Sequence, residues 1–269
     1  MRRAQEGPAA TGAVADTITG RPSHGERLHR VDRVGGHSVA LLGNRKRSLH
    51  ARGIERRRRL LDAARSVLAE RDLDQISLGD VAARANVPKG SAYHFYDDIQ
   101  DLYAALLVSL QEELIEVLSQ PLRGRFRRWQ DVVTSLTKRG AAFYMGNPAA
   151  RQLQIGPKTP PVLKLHDRRS DIAIAKLYEE HIASVFELPP IANRSRLFYR
   201  AVEIADLMFC LSMLEHGSVT KDMCREADRA ASAYLSSYLP AALPYRNAAA
   251  PGYAATSPSH PGARSIEAI

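Results

Sequence analysis

The stretch Ser77-Leu-Gly-Asp-Val-Ala-Ala-Arg-Ala-Asn-Val-Pro-Lys-Gly-Ser-Ala-Tyr-His-Phe-Tyr96 carries two short helix signatures back to back. Ser77 stands as an N-cap. Asp80 places a carboxylate in the first turn, where unpaired backbone N–H groups and the helix dipole favour negative charge. The helix that starts there, from Leu78 to about Ala85, is stopped by Asn86, which enters the left-handed backbone region more readily than most residues. Pro88 suits the first turn of a second helix, because its missing N–H has no partner there anyway. That helix carries Lys89, Gly90, Ser91, Ala92, Tyr93, His94 and Phe95.

Val81, Ala82 and Ala85 are small and apolar where the two helices must cross, and Val87 anchors the turn. This is the pattern of a helix-turn-helix. Its second helix is pushed outward, so that its N-terminal residues can reach a major groove. Lys89 supplies a cation, Ser91 a small hydroxyl, and Tyr93 and His94 donors for phosphate or base edges. Gly90 leaves room for a backbone to approach the duplex.

Working outward, Leu60, Leu61, Ala64, Val67 and Leu68 recur at spacings of three and four and predict a helix from about Gly53 to Glu70. Asp97-Asp98 open a long helix to about Ser119. Further helices are expected near 125–145, 148–154, 161–186, 193–216 and 220–239. Pro148 and Pro161 fit helix starts, Asn193 and Thr220 N-caps, and Gly217 a C-cap, while Pro189-Pro190 and Pro240 mark stops. The expected fold is all-α, a helix-turn-helix domain followed by a larger helical domain. The boundaries read as a disordered basic extension over 1–52, the helix-turn-helix over 53–97, helices over 98–240 and a disordered tail over 241–269.

The order of these residues is more specific than the helix-turn-helix alone. Arg59-Leu-Leu-Asp-Ala-Ala64, the Ser77–Val87 run, Lys89-Gly-Ser-Ala-Tyr-His-Phe-Tyr96 and Asp98-Ile-Gln-Asp-Leu102 follow one another from Glu55 to Leu106. This region resembles the DNA-binding domain of the TetR (tetracycline repressor) family of bacterial transcriptional regulators. The resemblance implies that Lys89, Gly90, Ser91, Tyr93 and His94 meet DNA from the recognition helix. It implies that Ser77 caps the preceding helix beside a phosphate, and that Arg84 lies near the DNA backbone. Two positions depart from the family pattern: Asn86 replaces the usual Gly, and Ile99 replaces a common phosphate-binding Lys. Tyr96 is expected in the core, and Phe95 is expected to pack.

Charge agrees with a nucleic-acid partner. The net charge is +9, and residues 1–59 hold 14 Lys/Arg against five Asp/Glu, so the whole excess lies in the first fifth of the chain. Arg56–Arg59 adjoin the reading head, and Arg58 is counted with the DNA-binding candidates; the bland reading of this run is a solvated face. No apolar run is long enough to span a bilayer, and no continuous apolar stretch follows Met1-Arg2-Arg3, so a cytoplasmic protein without membrane contact is expected. Cys210 and Cys224 make neither a disulfide framework nor a zinc site, and no metal or cofactor is expected.

In a protein of this resemblance, the later helices form a sensor for a small-molecule effector, and the last two pair with a second subunit. Leu197–Leu214 is apolar nearly all round, and Ala227, Ala230, Ala231, Ala233 and Tyr234 give the last helix a small-residue face. A homodimer on a roughly palindromic double-stranded operator follows. Candidate pocket residues are Trp129, Phe143, Tyr144, His166, Tyr178, His181 and Met208, each with core packing as its alternative. No catalytic motif such as G-x-S-x-G, H-E-x-x-H or a P-loop is present. The leading expectation is therefore a ligand-responsive regulator, most simply a repressor, and not an enzyme. A non-specific DNA-coating protein and an all-helical enzyme are the alternatives.

Overall fold

A computed structural model describes residues 36–246, with side chains from Ala51 to Arg246 apart from those of His166 and Arg169. Contacts divide the chain into residues 1–48 and 49–269. Of the first unit only the opening turns of the first helix are described. The described residues hold nine α-helices: α1 Gly36–Leu68, α2 Leu78–Arg84, α3 Lys89–Phe95, α4 Ile99–Ser119, α5 Trp129–Gly146, α6 Pro148–Leu153, α7 Pro161–Val185, α8 Arg194–His216 and α9 Lys221–Ser236. The only extended pairing among them is an isolated antiparallel bridge between Phe186 and Tyr245.

Most helix starts follow from local chemistry. Asp98 caps α4 by accepting from the Gln100 and Asp101 N–H groups, Asn147 caps α6 from Ala150, and Thr220 caps α9 from Met223. Gly217 ends α8 in the left-handed region at φ 67°. Asn193, expected as a cap, precedes α8 but makes no capping bond and itself adopts φ 56°.

Two boundaries differ from the sequence reading. Helix α1 begins at Gly36 rather than Gly53, so residues 36–52 are helical. Ala40-Leu41-Leu42 and Arg45-Lys46-Arg47 are good helix formers, and extending an existing helix avoids the cost of nucleating one. The rest of the expected N-terminal extension, residues 1–35, lies outside the described residues, as does 247–269 of the expected tail. Residues 241–246 dock onto the helices. Leu243 is buried, the Tyr245 ring stacks on Phe186 at 5.2 Å, and the Glu187 N–H donates to the Pro244 carbonyl.

The core runs along α4, whose Leu102, Leu106, Leu110, Leu114 and Leu118 are buried at spacings of four. This helix packs on α5 and α7; α8 packs on α7 and α9, and α9 also on α5. Trp129 is fully buried, with its indole N–H donating to the Pro240 carbonyl.

Helix α6 holds the end of α1. The Gln152 side-chain amide donates to the Leu68 and Arg71 carbonyls at 2.7 and 2.8 Å and accepts from the Leu73 N–H at 2.7 Å. The Tyr103 hydroxyl of α4 donates to the Leu73 carbonyl, and Lys158 pairs with Asp72 and Asp74.

Candidate functional site

Helices α2 and α3 are locked by their ends. Ser77 and Asp80 form a reciprocal capping box: the Asp80 N–H donates to Ser77 Oγ at 3.2 Å, and the Ser77 N–H donates to the Asp80 carboxylate at 2.8 Å. The backbone and side-chain hydrogen bonds from Ser77 hold the Asp80 carboxyl below its usual range. Asn86 takes φ 50° in the turn, and the Val87 N–H donates to the Ala82 carbonyl. Pro88 sits one position before the first helical residue of α3, and its carbonyl accepts from Ser91 and Ala92.

Helix α3 enters the core through Ala92, which is fully buried beside the buried Val81, Ala82 and Val87. The opposite face is outward. Lys89, Gly90, Tyr93 and His94 are exposed, Tyr93 to 46%, and Ser91 is half-buried. Residues 89 and 93, and 90 and 94, are one helical turn apart, so the four form a continuous stripe. The Lys89 ammonium lies 5.8 Å from the Tyr93 ring centroid. A Cβ on Gly90 would meet nothing within 4 Å, so packing within the chain does not require glycine there. A Cβ on Gly79 would lie in ordinary contact with Ser77 and the Lys89 side chain, at 3.5 and 3.7 Å, so packing does not require glycine there either. Tyr96 is buried, and Phe95 is half-buried near Gly53 of α1, as expected.

The cations beside the stripe are mostly engaged within the chain. Arg84 forms a two-pronged pair with Glu70 at 2.9 and 2.6 Å and also donates to Ser66. Arg58 pairs with Glu55 and Asp62, the Arg59 guanidinium donates to the Asn86 carbonyl at 2.7 Å, and Arg57 lies over the Tyr96 ring.

The second feature is interior. A small, half-open cavity of about 30 Å³ lies between α4, α5, α7 and α8, walled by Leu114, Leu118, Tyr144, Tyr178 and Phe209 and by Asp171 and Asp206. Of the seven candidate pocket residues, Tyr144 and Tyr178 line it. Trp129, Phe143, His181 and Met208 do not, and the His166 side chain lies outside the described residues. The His181 ring bonds the Leu118 carbonyl at 2.8 Å. Burial raises Tyr144 well above the usual phenol range and pushes Asp171 to about 8 and Asp206 to about 7, with repulsion among Asp167, Asp171 and Asp206 acting in the same direction. Both cysteines are free thiols, and burial drives Cys210 to about 12 and Cys224 upward, which keeps them from acting as thiolates. Among the described residues no group of His, Cys, Asp and Glu could hold a metal ion, and no helix is long and apolar enough to cross a membrane.

Comparison with known proteins identifies both halves of this arrangement. Residues 60–106 match the model for bacterial regulatory proteins of the tetR family, and residues 127–239 match that for the tetracyclin repressor-like C-terminal domain. The chain belongs to the TetR family. It is a TetR-family transcriptional regulator with an N-terminal helix-turn-helix domain and a helical C-terminal domain. Solved TetR structures share the fold. A regulator from Streptomyces coelicolor is 24% identical, aligned over 69% of this chain and 98% of its own with a TM-score of 0.55. One from a Rhodococcus species is 19% identical over 69% and 97%, with a TM-score of 0.51. One from Pectobacterium atrosepticum is 22% identical over 71% and 97%, with a TM-score of 0.50. No curated protein matches the chain significantly.

Proposed function

We propose that this TetR-family chain is a ligand-responsive repressor that binds a near-palindromic operator as a homodimer. Residues 53–97 read DNA in this proposal, and 98–240 sense an effector and dimerise. The observation that carries the reading is the outward stripe of Lys89, Gly90, Tyr93 and His94 on a helix anchored through Ala92. Lys89 and Tyr93 reach phosphate or base edges, Gly90 admits the backbone, and Ser91 and Ser77 sit at helix N-termini where phosphate is favoured. Arg84 and Arg58 take part by holding α1 and α2 in place and by adding positive potential near the phosphates. No residue is assigned a catalytic role.

Dimerisation is supported by apolar surface on α8. Leu207 and Leu214 are exposed there, and Tyr238, just past α9, is exposed beside Tyr234. Burying this surface against its symmetry mate would give a twofold pair of reading heads. An effector that binds the DNA-competent and incompetent forms unequally then shifts the population between them.

The test is selection of bound fragments from genomic DNA flanking the gene, followed by footprinting. The expected product is a protected inverted repeat, with Lys89→Ala and Tyr93→Ala each weakening binding. Binding that has no sequence preference and falls steeply with salt would instead mean a DNA-coating protein.

A further inference from the structure

We propose that the interior cavity receives the ammonium head of an organic cation, held by Asp171 of α7 and Asp206 of α8. This names the effector class and rests on the sensor reading of the C-terminal helices. Asp171 is 92% buried, lines the cavity, and has no hydrogen bond or ion pair among the described residues. An isolated buried carboxylate is costly, and proteins ordinarily pair or hydrogen-bond such groups. Asp206 faces the same space with one contact, from the Cys210 thiol at 3.6 Å.

The neighbouring acid behaves differently. Asp167, one turn before Asp171, accepts from the Gln111 amide at 2.8 Å and the Gln154 amide at 3.4 Å. That bond uses the donor side of Gln154 and leaves its buried Oε1 without a partner. Gln154 also lines a small recess with Asp167, Asp206, Cys210 and the cations Lys164 and Arg168, the second of which pairs with Glu203. The acids Asp167, Asp171, Asp206 and Glu203 outnumber the cations Lys164 and Arg168, and the Gln154 oxygen lacks a donor, so the site can take a further cation.

The surrounding wall narrows the chemistry. Leu114, Leu118, Tyr178 and the edge-packed pair Tyr144–Phe209 accept hydrocarbon, and aromatic faces attract an alkylammonium. An anion would be repelled, and a neutral molecule would leave the excess negative charge uncompensated. The cavity of about 30 Å³ admits an ammonium-sized group, and the hydrocarbon remainder, too large for that volume, would wedge between the helices at its open side. A ligand that fits only the parted form binds the two conformations unequally, which is what an effector requires.

Protons add a signature. Asp171 and Asp206 lie near 8 and 7, faced by Asp167, Lys164 and Arg168 of α7, Glu203 and Cys210 of α8, Tyr144 of α5 and Gln111 of α4. A cation favours both carboxylates in their ionised form, displaces their protons and binds more tightly as pH rises through this range.

The experiment is calorimetric titration of the full chain with octylammonium, octanol and octanoate at pH 6 and pH 8. The cation is expected to bind at least about tenfold more tightly than octanol, and more tightly at the higher pH. Asp171→Asn and Asp206→Asn should each remove about tenfold of cation affinity and leave octanol unchanged. Asp171→Asn is isosteric and deletes an unpaired charge, so it keeps the test decisive even where Asp206→Asn fails to fold. Equal binding of octanol or octanoate, or an unchanged preference in folded Asp171→Asn, overturns the proposal. Operator release separates it from the parent reading. Release by a neutral or anionic compound and not by the cation sinks the inference alone. Cation binding lost in Asp171→Asn, in a chain that binds no operator, sinks the repressor and upholds the site.

Discussion

Gln152→Ala tests whether α6 is the clamp on the end of α1. The wild-type amide makes three hydrogen bonds of 2.7–2.8 Å, two of them to carbonyls at and just beyond the helix end, where no intrahelical partner is available. A net contribution of about 0.5–1.5 kcal/mol per bond, reduced because the site is half-exposed and water can replace part of it, gives a loss of about 2 kcal/mol. With a urea dependence of about 2 kcal/mol/M, the unfolding midpoint should fall by about 1 M at constant slope. The single buried Trp129 reports the transition by fluorescence. Gln152→Glu supplies the control. It keeps an acceptor for the Leu73 N–H but turns a carboxylate toward two carbonyls, so it should be worse than wild type at pH 8 and partly recover at pH 4, where a protonated acid donates again. A loss below about 0.5 kcal/mol for Gln152→Ala, or a Gln152→Glu protein as stable as wild type at pH 8, would refute the clamp.

Lys89→Ala and Tyr93→Ala should each cost about 1–3 kcal/mol of operator affinity in gel-shift titrations and leave the melting temperature unchanged, because both side chains are exposed. Asn86→Gly should be neutral or stabilising, whereas Asn86→Ala, forced to φ 50°, should lose about 1 kcal/mol in urea unfolding. For Asp171 the folded pKa of about 8 lies above the ordinary 3.8, so the folded state holds its proton longer and the wild type loses stability as pH rises from 4 to 8. Thermal scans should therefore show Asp171→Asn gaining on wild type across that window and no further above it. Replacing Arg45, Lys46 and Arg47 together with Gln should flatten the salt dependence of DNA binding by up to about 0.9 per lost phosphate contact, without changing operator preference.

The reading head was legible in the sequence because its determinants act within a turn of where they stand. Ser77 and Asp80 close their box locally, Asn86 adopts the backbone its side chain tolerates, and Val81 and Ala82 are buried where two helices cross. The start of α1 was not, because residues 36–52 carry Gly43 and a weak apolar period, so no face announces the helix. The interior carboxylates were missed for a different reason. An aspartate in a helix reads as solvated charge, and only the crossing of α7 with α4, α5 and α8 removes Asp171, and part of Asp206, from water. A signal was nevertheless present: Asp167, Asp171, Ile174 and Tyr178 fall at spacings of three and four, which puts two acids on the apolar face of α7.

The basic excess acquires a different meaning once the helix boundaries are known. Eight Lys/Arg and one Asp/Glu lie between Gly36 and Arg59, so seven of the nine excess charges belong to α1 rather than to the segment before it. Several cations nearest the reading head are structural before they are electrostatic. Arg59 fastens α1 to the turn that aims α3, Arg84 fastens α2 to Glu70, and Arg57 rests on Tyr96. Loss of DNA binding on replacing Arg59 or Arg84 would therefore not by itself identify a phosphate contact, since a displaced α3 gives the same loss. The salt slope separates the two roles. A deleted phosphate contact reduces the slope by about 0.9, while a deleted brace lowers affinity at every salt concentration and leaves the number of released counterions nearly unchanged. The hydrogen bonds of Arg59 and Arg84 predict that both behave as braces, with an unchanged slope, whereas Lys89, which makes no ion pair within the described residues, should lower it.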